Sequence, residues 1–149
     1  MVSEADLLSG VEMDEPEIDD VLKEVGVGTL SMTSDGVPYG IPLSFGYNGE
    51  DSLYFLFVGP SGDLRKETYA EQAERVCFSA YEVEEEGNWQ SAIVEGELRR
   101  VTQSEWDDAR EALADNAYHP NLVADFDIWE SPNVWVLEID EKSGRAAEP

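Results

Sequence analysis

Three stretches of this sequence carry residue types that could do chemistry. In GPSGDLRK, residues 59–66, Arg65 and Lys66 stand side by side directly after a glycine-bearing loop. If a helix opens there, its free amides and the positive end of its dipole join two cations in attracting an anion. A phosphate monoester carries nearly two negative charges, and a charge-assisted hydrogen bond to it contributes about 1.5–3 kcal/mol. The competing account is a surface doublet neutralised by Asp63, Glu67 or Glu71. The second stretch, VPYGIPLSFGY, alternates Val37, Tyr39, Ile41, Leu43, Phe45 and Tyr47 with Pro38, Gly40, Pro42, Ser44 and Gly46. Period two marks a strand, here with one bulky face and one bare face that a flat ligand could approach. The same prolines would suit an edge strand guarded against aggregation. The third stretch is NWQSAIVEG, residues 88–96. Gln90 and Ser91 open an alternating strand and could offer amide and hydroxyl groups, with Trp89 read most simply as core.

Other catalytic constellations are weak. Cys77 is the only cysteine and His119 the only histidine, so the sequence offers no intrachain disulfide, no cysteine metal cluster and no credible nucleophilic triad. The carboxylates are too numerous for any pair to stand out. Arg99-Arg100, the second basic doublet, ends a strand pattern and reads as surface ion pairing.

The elements that must position these residues are legible from periodicity. Ile18, Val21, Leu22 and Val25 give an amphipathic helix over 14–25, with Asp14 and Glu17 as a capping box and Gly26 and Gly28 ending it. A short strand at Leu30–Met32 leads through Asp35-Gly36, a hairpin turn, into the alternating stretch 37–47. Asn48-Gly49 turns into an apolar strand over 53–58. A short helix over 64–73 follows the loop and could be capped by Asp63. A strand over 76–81, an acidic loop and a long strand over 89–101 come next. Thr102 and Glu105 then form a capping box before a helix that aligns Trp106, Ala109 and Leu113. After an irregular segment from His119-Pro120, a last strand covers 134–139 and KSGRAAEP frays. Six strands in hairpin-like order imply a mainly β, six-stranded antiparallel barrel, closed or partly open, with flanking helices. It forms one domain over 1–149, with flexible ends at 1–13 and 142–149.

Charge sets the partners apart. Thirty-four acidic residues against 9 basic ones give a net charge of −25, which disfavours nucleic acid and anionic membranes. Lys23, Lys66 and Lys142 are the only lysines. Few lysines with many acids suit a salt-rich cytoplasm, because at about 1 M salt the Debye length is only ~3 Å and self-repulsion is screened; the alternative is an acidic protein of an ordinary cell. No apolar run reaches membrane-spanning length and the N-terminus lacks a signal-peptide pattern, so the expected location is cytoplasmic.

Over residues 14 to about 140 these features occur in the order of the FMN-binding split-barrel proteins of the pyridoxamine 5′-phosphate oxidase-like superfamily, which the chain resembles. Gly36, Pro38, Tyr39 and Pro42 match the family's G-x-P-Y-x-x-P strand, LYFLFV its aromatic-rich strand, and WQSAIVEGELRRV the strand whose opening residues lie near the flavin. The resemblance implies a split barrel with FMN as cofactor and a homodimer with two flavins at its interface. Arg65 and Lys66 would hold the phosphate beside Ser61, Val58 and Gly59. Pro42, Leu43 and Ser44 would line the ring through backbone groups, with Gln90 and Ser91 reaching it from a strand. The function implied is an FMN-dependent oxidoreductase of unknown substrate. The alternatives are a flavin, deazaflavin or haem carrier or sensor without turnover, or a ligand-free dimeric interaction protein. Asp63 beside the phosphate site and Val58-Gly59, where many relatives carry a histidine or arginine, depart from the family pattern. The Arg-Leu-x-Pro-like motif of true pyridoxamine 5′-phosphate oxidases is also absent, so flavin binding is implied more strongly than that reaction.

Overall fold

The structure is a computed structural model that describes residues 10–57, 65–85, 87–115 and 133–147. Eight strands form one antiparallel sheet: β1 (Val11–Glu12), β2 (Val27–Ser34), β3 (Val37–Ser44), β4 (Gly46–Tyr47), β5 (Ser52–Leu56), β6 (Val76–Glu85), β7 (Asn88–Arg100) and β8 (Val134–Ala146). Among the described residues three α-helices flank it: α1 (Glu15–Val25), α2 (Arg65–Gln72) and α3 (Trp106–Ala114). The strand order is β3-β2-β6-β7-β8-β5-β4, with β1 added alongside β8.

The mainly β, antiparallel expectation holds, but the strand count of six does not. Two short pieces account for the difference. β1 adds Val11 and Glu12 to the end of β8. The stretch 37–47, expected as one strand, divides at Phe45 into β3, which pairs with β2, and β4, which pairs with β5. β3 and β4 are the two edges of the sheet yet only one residue apart, so the sheet must curl until its edges meet at Phe45. That residue is buried, and its amide donates to the Gly26 carbonyl at 3.1 Å. Gly46 belongs to this junction rather than to a bare ligand face. A Cβ there would lie 2.4 Å from the Ala112 carbonyl oxygen, so the missing side chain lets α3 approach.

Local signals explain most of the rest. Asp14 and Glu17 form both halves of the capping box, and Gly26 ends α1 with φ +74°. Asp35 and Gly36 both have positive φ, as a tight hairpin demands, and pair Ser34 with Val37. Thr102 and Glu105 form their capping box ahead of α3, whose Trp106, Ala109 and Leu113 are buried. The acidic run after Tyr81, expected as a loop, extends β6 to Glu85. Its partners exist on β7, with Gln90 opposite Glu82 and Trp89 opposite Val83. Likewise β8 continues to Ala146 instead of fraying after Ile139, because residues 142–146 pair with Gln90–Val94.

The curled sheet encloses Leu30, Phe45, Phe55, Phe78, Val94 and Leu137, all under 2% exposed, and α1 closes one side through Ile18, Val21 and Leu22. Burying each such side chain contributes roughly 1.5–3 kcal/mol before chain entropy is counted. On the opposite face of β5 and β8, Tyr54, Val134 and Val136 pack under α3.

Candidate functional site

The sequence-predicted site residues fall into three groups. The first is at the start of α2. The Arg65 guanidinium lies over the Tyr39 ring, 4.7 Å from its centroid, and Lys66 Nζ lies 5.9 Å from the centroid of Phe57. Tyr39 is itself met edge-on by Tyr69 of α2, with centroids 4.8 Å apart. Phe57 stacks on Trp135, whose other neighbour is the Arg100 guanidinium at 4.6 Å. Two of the three carboxylates the sequence places near the doublet, Glu67 and Glu71, have partners of their own. Glu67 accepts a hydrogen bond from Asn133 Nδ2, and Glu71 pairs with Arg100 at 3.0 Å. Asn133 in turn accepts from Trp135 Nε1 at 3.0 Å, which holds the amide in register for Glu67. Asp63, Ser61, Val58 and Gly59 lie outside the described residues, as does His119.

The second group is the outer face of β3. Pro38, Gly40, Pro42 and Ser44 point away from the core, while Leu43 packs partly into it. A Cβ at Gly40 would meet nothing closer than Thr29 Cγ2 at 3.6 Å, so the strip is open. β3 is an edge strand, the position where prolines cost the ladder least, so the edge-strand account of Pro38 and Pro42 is also satisfied. Beside the strip runs a shallow groove lined by Ser31, Thr33, Gly40, Cys77, Glu95 and Arg75. Burial, with a smaller push from Glu95, raises the Cys77 thiol above its ordinary value.

Gln90 and Ser91 form the third group. One rung of the sheet runs Pro42–Thr29–Ser79–Ile93 across four strands. Three strand spacings separate its ends by about 14 Å. Ser91 lies two residues from Ile93 on the same outer face, so within one chain it does not reach a ring resting on Pro42 or Ser44. Gln90 donates to Glu82 at 3.1 Å. Around Ser91 the face is apolar and open, with Tyr81 and Val83 each 67% exposed and Ile93 43%.

Arg99 has no part in any of these groups. Its guanidinium spans Glu105, at 2.7 Å from both Nη1 and Nη2, and Glu138, at 2.6 Å from Nε. The surface pairing expected of Arg99-Arg100 is what the structure contains. The sequence does not reveal the aromatic seats: in it Tyr39 is one bulky position among six and one position of the G-x-P-Y-x-x-P pattern, and Phe57 is part of an apolar run. Nor does it single out Lys142, assigned to the tail, which is only 14% exposed by side chain. Lys142 donates to Asp19 and the Tyr47 hydroxyl, each at 3.2 Å, and to the Glu50 carbonyl at 2.9 Å. Burial, with the bond to Asp19, pushes the Tyr47 hydroxyl up to about 12. Among the described residues no group of three or more His, Cys, Asp or Glu side chains could hold a metal ion. Nor is any described helix long and apolar enough to cross a membrane.

A curled antiparallel sheet with flanking helices and its two edges brought together is the architecture of a split barrel. Over residues 14–146 the chain matches the pyridoxamine 5′-phosphate oxidase family model, and it belongs to that family. Among solved structures it is similar to a FAD-binding protein from Mesorhizobium loti, at 22% identity over 93% of this chain and 98% of that one, with a TM-score of 0.73. It is also similar to a FAD- and haem-binding protein from Mycobacterium smegmatis, at 20% identity over 93% and 74%, TM-score 0.70. A third is the flavocytochrome Anf3 from Azotobacter vinelandii, at 16% identity over 93% and 70%, TM-score 0.67. At these identities the likeness is one of fold. No curated protein matches the chain.

Proposed function

We propose that this protein binds the flavin phosphate FMN, as a homodimer, and works as an FMN-dependent oxidoreductase. The observation that carries the reading is the state of Arg65 and Lys66. They open a helix, rest on aromatic faces, and two of the three carboxylates best placed to neutralise them are engaged by Asn133 and Arg100. A phosphate fits that donor set. When bound, the flavin supplies the electron-transfer chemistry, and the chain supplies binding, orientation and electrostatics.

Spacing supports the dimer. Pro42 and Ser44 belong at one ring and Gln90 and Ser91 at another, because about 14 Å separates these groups within a chain. A second copy is the source from which the first copy's ring would receive such groups, and one laid against the open face around Tyr81, Val83 and Ile93 would bury those apolar side chains. The FAD-binding relatives favour a second reading, in which FAD replaces FMN.

The expected result is one FMN per subunit, with riboflavin, which lacks the phosphate, bound much more weakly. Equal affinities would overturn the phosphate site. Mass spectrometry of the flavin that co-purifies separates FMN from FAD. Bleaching of the yellow protein by NADH or NADPH separates a reductase from a passive carrier.

A further inference from the structure

We propose that Tyr39 is a positioning residue for the phosphate site, one that orients Arg65 without spending its hydrogen-bond donors. The inference rests on the reading of Arg65 and Lys66 given above. A long side chain in the first turn of a helix samples many rotamers, and freezing it on ligand binding costs entropy. Something must hold the guanidinium in place beforehand, and the two available means differ in consequence. A carboxylate holds an arginine by occupying its N–H groups, as Glu105 and Glu138 together do to Arg99. An aromatic face attracts the cation through its quadrupole, so none of the five N–H donors must be given to an oxygen. It also leaves the positive charge uncancelled, which matters in a chain of net charge −25.

The Tyr39 ring is built to serve as such a seat. Its backbone lies in the β2–β3 ladder opposite Met32, a buried residue, so the ring springs from a fixed strand. Tyr69, one helical turn beyond Arg65, meets it edge-on at 4.8 Å and fixes its tilt. Arg65 then sits 4.7 Å above the centroid. Strand, ring, cation and helix form a closed loop of contacts: Tyr39 to Arg65, along α2 to Tyr69, and back to Tyr39. The hydroxyl of Tyr39 has no part in it, so phenylalanine should serve as well.

The test measures FMN and riboflavin affinity side by side for the parent protein and the variants Tyr39→Leu, Tyr39→Met, Tyr39→Phe, Arg65→Ala and Lys66→Ala. Tyr39→Leu should weaken FMN about three- to tenfold and leave riboflavin within about twofold, with Tyr39→Phe restoring the parent values. Tyr39→Met keeps the bulk without the ring face and should behave as leucine does, which covers the case of a leucine variant that does not fold. A Tyr39 variant that weakens both flavins equally, or a phenylalanine variant as weak as leucine, overturns the inference. If Arg65→Ala loses the preference for FMN while the leucine and methionine variants keep it, Tyr39 is not the seat and the phosphate site stands. If Arg65→Ala and Lys66→Ala both retain the preference, the phosphate site itself is misplaced and the inference falls with it.

Discussion

Arg65-Lys66 at the start of α2 and Arg99-Arg100 at the end of β7 are both basic doublets in a chain with nearly four acids for every base, and they differ in what they face. Arg99 is enclosed by two carboxylates, and Arg100 divides itself between Glu71 and the Trp135 ring. Arg65 and Lys66 rest on Tyr39 and Phe57. Where carboxylates are abundant, an arginine left to itself becomes half of an ion pair. Keeping Arg65 available for a ligand takes an aromatic neighbour and partners for the nearby acids of α2. Asn133 and Arg100 supply the latter by engaging Glu67 and Glu71.

The largest effect that would break this contrast is on affinity. Lys66→Ala should weaken FMN binding by ~1.5–3 kcal/mol, roughly ten- to a hundredfold, through loss of one charge-assisted contact. Arg99→Ala should leave affinity unchanged and lower stability, since exposed pairs contribute under about 1 kcal/mol each. Paired titrations and melts at one fixed salt concentration check both. An Arg99 variant that loses more FMN affinity than the Lys66 variant would reverse the roles assigned here.

Salt should separate the two functions next. From about 0.1 M to about 2 M KCl the melting temperature is expected to rise, because repulsion among surface carboxylates is strongest at low ionic strength, while FMN affinity falls as the phosphate contact is screened. A flat or falling melting temperature would remove the case for a halophilic adaptation.

The smallest effect is in acid. Arg99 holds the Glu105 carboxyl at about 2, well below its ordinary 4.5. A depressed carboxylate contributes stability in full above the ordinary value and loses it as pH falls through the folded one. The stability gap between the parent protein and Arg99→Ala should therefore be constant above pH 4.5 and shrink towards pH 2. Denaturant melts across that window would show it, and a gap that widens in acid would contradict the pairing.

Much of this was legible in the chain because the relevant physics is local. Asp14 with Glu17, Thr102 with Glu105, and Asp35-Gly36 act within four residues, and each does in the structure what its type demands. The Arg65-Lys66 doublet could be found the same way. What surrounds it could not, since Tyr39 is 26 positions from Arg65 and Asn133 is 66 from Glu67. Nor does period two reveal a strand that changes partner, because Phe45 and Tyr47 keep the alternation of Tyr39 and Ile41 while the ladder beside them switches from β2 to β5. Gly46 looked like part of a ligand-facing strip for the same reason, and only α3 explains it.

The place of β8 has a consequence for how the molecule is made. Three hairpin pairs, β2–β3, β4–β5 and β6–β7, each join neighbours in the chain and can form as soon as their residues exist. β8 alone lies between β7 and β5, and it pairs with both. Until it arrives there are two unfinished half-sheets, β3-β2-β6-β7 and β5-β4, joined through the chain at Phe45, each offering an unpaired edge. During synthesis the ribosome must release residues 134–146 before either edge is covered. The interval before that release is when a growing chain is open to strand exchange with its neighbours, and it is then that a net charge of −25 would keep nascent copies apart.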